Sequence, residues 1–371
     1  MIPVFRPSMG DAETNAVGEV LRSGWIGLGP KTKEFEDKFA AYMNCKYAVA
    51  MNSATAALHL AMAVMKVDGG EVITTPMTFV STNHAILYNS AVPVFCDIEP
   101  DTLNIDADKI EALVTPLTKA IVVVHYGGYA VDMDKVLDIA KRRNLKVIED
   151  AAHACGGEYK NRKLGTIGDI GCFSFHAVKN LATGDGGMVT TNDAAIYARL
   201  MKLRWVGISK DTWSREDTTT KAYSWYYNIE ELGFKYHMND ITAAIGLVQL
   251  EKLDTMNRRR AEISRMYTEA FSSNKKIGLP VIKNYMTRPS CHNYVIKVED
   301  RDGLNASLKQ QGIATGVHYI PNNNYDMYKG FRGPTPVAGA VWKKLLTLPL
   351  FPDLKQKEIE LIKSSVLDFI K

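Results

Sequence analysis

Short runs dominated by Val, Ile and Ala recur through the first half of the chain: Tyr47 to Met51, Glu71 to Thr75, Val92 to Asp97, Ala120 to Tyr126, Leu145 to Ile148 and Ile170 to Phe175. Each is too short for a stable helix and too continuously apolar for a half-exposed strand, so each reads as a strand buried on both faces. Stretches with apolar residues at helical spacing lie between them, among them Ala57 to Met65 and Met133 to Arg142. Strand and helix in alternation demand crossover connections, and these build a mostly parallel sheet covered by helices on both sides. The fold class expected is therefore α/β, with a large doubly wound domain. Open sheets of this kind bind ligands just beyond the carboxyl ends of their strands, so the residues that follow each run are where chemistry is to be sought.

Two of those positions carry it. The run Leu145 to Ile148 is followed by Glu149 and Asp150, which places an acid at the sheet's carboxyl edge, where a buried carboxylate needs a cationic partner. The run Ile170 to Phe175 contains Ser174 and leads into a loop with one lysine, Lys179, ahead of the cluster Gly184-Asp185-Gly186-Gly187. A lysine amine condenses with a carbonyl cofactor, and pyridoxal phosphate combines such a lysine with an acid at its pyridine nitrogen. Taken singly, Asp150 also suits a helix cap and Lys179 a solvated loop. A further polar turn, Asn52-Ser53-Ala54-Thr55, opens the helical stretch after the first strand; free N–H groups and the helix dipole make such a turn a phosphate site, although Thr55 alone also suits an N-cap.

The 371 residues suffice for two domains, and a composition 46% hydrophobic and 23% charged is that of an ordinary globular protein. A net charge of +4 with scattered basic residues gives no nucleic-acid footprint. Five cysteines without C-x-x-C or Cys/His spacing indicate neither a disulfide framework nor a metal site. The segment from Met1 to Pro7 lacks the layout of a signal peptide, and no uninterrupted apolar stretch of about 20 residues exists to span a membrane, so a cytoplasmic protein is expected.

The segments Glu149-Asp150-Ala151-Ala152-His153, Ser174-Phe175-His176-Ala177-Val178-Lys179-Asn180 and Gly184-Asp185-Gly186-Gly187 closely resemble the DegT/StrS-type sugar aminotransferases, pyridoxal-phosphate enzymes of fold type I. The resemblance runs from Pro3 nearly to the C-terminus. It implies that Lys179 is the catalytic lysine, that Asp150 holds the ring nitrogen, that Ala54, Thr55 and Ser174 hold the cofactor phosphate, that Phe79 stacks on the ring, and that His153 bonds the phenolic oxygen. It further implies a homodimer in which Gly233 to Asn239 reaches the neighbour's phosphate; Lys235 and His237 stand where relatives often use asparagine. Trp25, as either loop anchor or substrate contact, and His318 or Tyr319 in the loop Gly316-Val317-His318-Tyr319-Ile320-Pro321 are the substrate-side candidates. Val206 replaces a histidine common among relatives, so no substrate contact is carried over to it.

The implied reaction moves an amino group from L-glutamate to a nucleotide-linked keto sugar, with pyridoxamine phosphate as the intermediate form of the cofactor. The loop at Gly316 and the segment Arg204 to Ser209 look most like the branch acting on 4-keto-6-deoxy sugars. A sugar 3-dehydratase of the same family is the nearest alternative, but it carries histidine where Lys179 stands; a non-catalytic protein on the same fold is the other. Residues 1–255 are expected to form the large domain and 256–371 a smaller α/β domain, with helices at Ile241 to Leu253 and Arg258 to Phe271 on either side of the division. Lys210 to Trp225 has no clear period and is expected as a long loop.

Overall fold

A computed structural model describes residues 1–208 and 227–371; the loop expected from Lys210 to Trp225 lies outside them. Strands β1 (Tyr47–Met51), β2 (Glu71–Thr74), β3 (Val92–Phe95), β4 (Thr118–Val124) and β5 (Lys146–Asp150) fall on the expected runs. After a small hairpin, β6 (Glu158–Tyr159) and β7 (Arg162–Lys163), come β8 (Ile170–Ser174) and β9 (Gly187–Thr191). Seven of these form one sheet in the order β1-β9-β8-β5-β4-β2-β3, parallel throughout except for β9. The glycine-led start of β9 hides it from a pattern search, since glycine weakens a strand signal.

Alternation along the central strands shows why both faces are covered. Ile121 and Val123 of β4 enter a core with Phe35, Phe39, Val136 and Leu247, while Ala120 and Val122 enter another with Leu58, Leu60, Ile86 and Leu200. Helices Pro30–Met43, Met133–Arg143 and the first half of Asp240–Phe271 cover one face; Ala54–Val64, Val80–Tyr88 and Ala194–Leu203 cover the other. Among the described residues no helix is long and apolar enough to cross a membrane.

The two helices expected around residue 255 are one helix of 32 residues, Asp240–Phe271. Its buried stripe continues through Leu253, Asn257, Arg260, Ile263, Tyr267 and Phe271. Two polar members of that stripe, Asn257 and Arg260, interrupt the apolar period and made one helix look like two. The second half packs into a separate core with Ile2, with β10 (Tyr294–Lys297) and β11 (Leu345–Leu348), which pair antiparallel, and with helices Arg301–Gln310 and Gln356–Phe369.

Candidate active site

The carboxyl ends of β1, β4, β5 and β8 and the turn after β2 converge on a cavity of about 340 Å³. Ser53, Ala54, Thr55, Phe79, Asp150, His153, Ser174, Lys179, His318 and Tyr319 all line it. Residues spread over 266 positions of sequence, from Ser53 to Tyr319, thus share one space, because parallel strands deliver their following loops to the same edge. Trp25, Lys235 and His237 do not line it. The Trp25 indole N–H donates to Leu28 O at 3.0 Å, and Lys235 Nζ lies 3.3 Å from the centroid of the Trp205 ring, which also meets the His237 ring edge-on at 4.3 Å.

The phosphate-type turn is built by its neighbours. Ser53, rather than Thr55, is the N-cap of helix Ala54–Val64: its side chain accepts from Ala56 N at 3.1 Å. Among the described residues no acceptor meets the N–H of Ala54 or Thr55, which face the positive end of the helix dipole. Thr55 Oγ1 and Ser81 Oγ lie 2.8 Å apart, and Ser174 lines the same cavity. A Cβ on Gly187 would stand 2.5 Å from Ser53 O and 2.8 Å from Ala54 N, so only glycine lets β9 approach this turn.

Adjacent acids in β5 meet opposite fates. Glu149 is wholly buried; burial raises its pKa, but His125 at 2.9 Å and the N–H groups of Gly168 and Gly165 outweigh that and hold it below the ordinary value. Asp150 accepts from Thr82 Oγ1 at 2.7 Å and Ala152 N at 3.1 Å, with the charge of Lys179 also in its favour, yet burial prevails and its pKa is raised. The cationic partner that its burial demands is not found among the described residues as an ion pair. A cationic donor at Asp150 would offset that burial.

Lys179 is partly buried, and desolvation, opposed by Asp150, lowers its amine to about 8. Its loop is fastened from behind: Asn180 Nδ2 donates to Asn257 Oδ1 and Ser290 O, each at 2.8 Å, and His292 Nδ1 lies 3.0 Å from Asn180 Oδ1. Burial and the charge of Lys179 also bring His318 down to about 4, so the imidazole is neutral; its Nδ1 meets Thr347 Oγ1 at 2.9 Å. Both nitrogens of His153 are engaged within the protein, Nδ1 by Gly127 N at 3.2 Å and Nε2 by Tyr319 Oη at 3.0 Å. Phe79 is 59% exposed on the cavity wall, with the Tyr319 ring tilted beside it at 6.3 Å between centroids.

The model of the DegT/DnrJ/EryC1/StrS aminotransferase family matches residues 7–367. The chain belongs to that family. It is 42% identical over 382 residues to the spore coat polysaccharide biosynthesis protein SpsC of Bacillus subtilis, covering 100% of this chain and 97% of that one. The sugar aminotransferase Spr1654 of Streptococcus pneumoniae, solved in its PMP form and described there as putative, superposes with a TM-score of 0.93 at 33% identity, covering 100% of both chains. Helicobacter pylori PseC, an aminotransferase involved in the biosynthesis of pseudoaminic acid, gives a TM-score of 0.91 at 30% identity over 100% of this chain and 99% of that one. The fold is thus that of the pyridoxal-phosphate-dependent aminotransferases, as the strand pattern and motifs led one to expect.

Three contributors escaped the sequence. Thr82 orients Asp150 from the first turn of helix Val80–Tyr88, and its hydroxyl lies 2.7 Å from that of Thr78, just before the helix; nothing in the local pattern marks it. Asn322, in the run Asn322-Asn323-Asn324 that the sequence offers as either a substrate contact or turn chemistry, has a structural part that the sequence did not reveal: it is buried, donating to Thr78 O at 2.8 Å and accepting from Asn83 Nδ2 at 2.7 Å, and so ties the segment after Tyr319 to helix Val80–Tyr88. Asn180 stood in the recognised motif, but nothing local revealed its partners 77 and 110 residues away.

Proposed function

We propose that this protein is a pyridoxal-5'-phosphate-dependent aminotransferase that moves an amino group from L-glutamate to a nucleotide-linked keto sugar, working as a homodimer in the cytoplasm. The single observation that supports it best is the placing, in one cavity, of Lys179, its amine lowered to about 8, with the buried carboxylate of Asp150. The donor set fits the cofactor: unclaimed N–H groups at Ala54 and Thr55 with the Ser174 hydroxyl for a phosphate, a carboxylate for a ring N–H, and the Phe79 face for the ring itself.

When bound, the cofactor supplies a protonated pyridine ring that draws off electrons as a C–H bond breaks beside the amino group. The chain's residues do the rest. Asp150 keeps the ring nitrogen charged, and each ion stabilises the other in a buried place. Lys179 Nζ would hold the cofactor's carbonyl group, and its amine, brought to about 8, is suited to take up and return a proton there at neutral pH. His318, neutral and on the cavity wall, offers the sugar a hydrogen bond without adding a second cation beside Lys179. Lys235 and His237 stand outside the cavity of their own chain, which suits service to a neighbouring subunit.

Borohydride reduction followed by peptide mapping tests the lysine: the phosphopyridoxyl label belongs on Lys179, and a label on Lys163 or Lys202 would refute the assignment. Glutamate offered with UDP-, dTDP- and GDP-linked 3-keto and 4-keto sugars, with mass spectrometry of the products, tests the substrate. A 4-keto-6-deoxy sugar is the expected acceptor.

A further inference from the structure

The contact between His153 and Tyr319 has a direction. Gly127 N–H donates to His153 Nδ1 at 3.2 Å, so that nitrogen carries no proton and a neutral ring keeps its proton on Nε2. The ring is neutral, because burial, with Lys179 and His318 nearby, depresses its pKa well below the ordinary value. Nε2 lies 3.0 Å from Tyr319 Oη and therefore donates to it. The phenol's own proton must leave on another side, and among the described residues no acceptor meets it. Burial, reinforced by Asp150, keeps the phenol protonated.

The pair is held rigidly. The His153 and Tyr319 rings lie nearly parallel, 16° apart with centroids at 6.0 Å; His292 also packs on His153 at 4.5 Å, and Phe5 stacks on His292 at 5.1 Å. We propose that His153 is a positioning residue that acts through Tyr319, turning the phenol into a one-way hydrogen-bond donor aimed at an oxygen of whatever fills the cavity. The proposal rests on the function proposed above, and the oxygen belongs either to the cofactor's phenolic group or to the keto sugar. It replaces the direct bond from His153 to the cofactor that the family resemblance implies.

The test is a double-mutant cycle on the purified holoenzyme with His153→Phe, Tyr319→Phe and both together, and with His153→Gln, which keeps a donor and an acceptor. Pyridoxal phosphate affinity, the absorption spectrum of the bound cofactor, and kcat and KM for the keto sugar are read in each. Tyr319→Phe is expected to weaken one of these by about tenfold, the effect of one lost hydrogen bond. His153→Phe should reproduce part of that loss, the double variant should be no worse than Tyr319→Phe, and His153→Gln should recover most of it. A change in cofactor affinity and spectrum assigns the oxygen to the cofactor; a change confined to the sugar's KM assigns it to the sugar. Multiplying losses in the double variant, or a spectral effect of His153→Phe that persists without the Tyr319 hydroxyl, would mean that His153 touches the ligand itself and would overturn the proposal. Unaltered protein that takes up no pyridoxal phosphate would overturn the functional assignment and this proposal with it. Should His153→Phe fail to fold, His153→Met supplies the same comparison.

Discussion

Thr82 Oγ1 stands 2.7 Å from Asp150 Oδ2, tying the first turn of helix Val80–Tyr88 to the end of β5. An ionised carboxylate only accepts, so Thr82 donates to it and must itself accept from Thr78, whose hydroxyl lies 2.7 Å away. The turn that follows β2 thereby aims a carboxylate across β4, two strands along the sheet.

Replacing Thr82 by valine keeps the shape and breaks this chain. One buried carboxylate oxygen and one buried hydroxyl lose their partners, at a cost of about 1–3 kcal/mol. Urea denaturation should show that loss, with weaker pyridoxal phosphate binding beside it, and Thr82→Ser should restore both. Unchanged stability and affinity in Thr82→Val would show that Asp150 needs no such support.

Gly187→Ala tests the phosphate turn by contact alone. The added Cβ would meet Ser53 O at 2.5 Å and Ala54 N at 2.8 Å, so the turn must move. Since phosphate is held by unmoved N–H groups, pyridoxal phosphate affinity should fall by roughly tenfold, about the worth of one charge-assisted hydrogen bond. Pyridoxal, which lacks the phosphate, should lose much less, and equal losses for the two would place the phosphate elsewhere.

The parallel sheet was legible because the central strands are buried on both faces, as in the unbroken Ala120 to Val124 of β4 and the Val147-Ile148 pair of β5. Asp150, Ser174 and Lys179 could be singled out because Ser174 lies at the end of such a run and Asp150 and Lys179 follow one within a few residues. What stayed hidden depends on pairing across sequence. Strand β9 opens on a glycine that exists for Ser53, 134 positions away, and the long helix disguises its continuity with Asn257, a buried residue that serves Asn180. The partners of His153 could not be read locally either, since both lie on other loops, at Gly127 and Tyr319.

Lys179 gives the pH dependence a sign. Its amine is lowered from 10.5 to about 8 by burial, and only the neutral amine attacks a carbonyl. Uptake of pyridoxal phosphate by the cofactor-free protein should quicken as pH rises through about 8 and then level off, whereas an ordinary lysine would go on gaining to about 10.5. Between those values the unfolded chain holds a proton that the folded chain has released, so the stability of the cofactor-free protein rises with pH across that window. Lys179→Met should abolish the rise; stopped-flow absorbance and thermal melts across pH check the two parts.

Sharing of the site between subunits has a direct test in complementation. Lys179→Ala and a Lys235, His237 double variant should each be inactive as homodimers. Mixing them with confirmed subunit exchange should restore part of the activity, since one of the two sites in a mixed dimer would carry both intact elements. Absence of recovery after exchange would mean that Lys235 and His237 serve their own chain.

The choice between amination and dehydration turns on Lys179. Histidine there can still move a proton, but an imidazole has no primary amine with which to hold a carbonyl cofactor at rest. Lys179→His should therefore bind added pyridoxamine phosphate while losing glutamate-dependent amination by on the order of 10³-fold or more, the upper part of the range for a lost proton-transfer group. Asp150, Thr82 and the Ala54-Thr55 turn are untouched in this variant, so retained cofactor binding separates loss of chemistry from loss of the site. Amination at near the unaltered rate in Lys179→His would remove the lysine from the chemistry, and with it the reason to read this cavity as an aminotransferase centre.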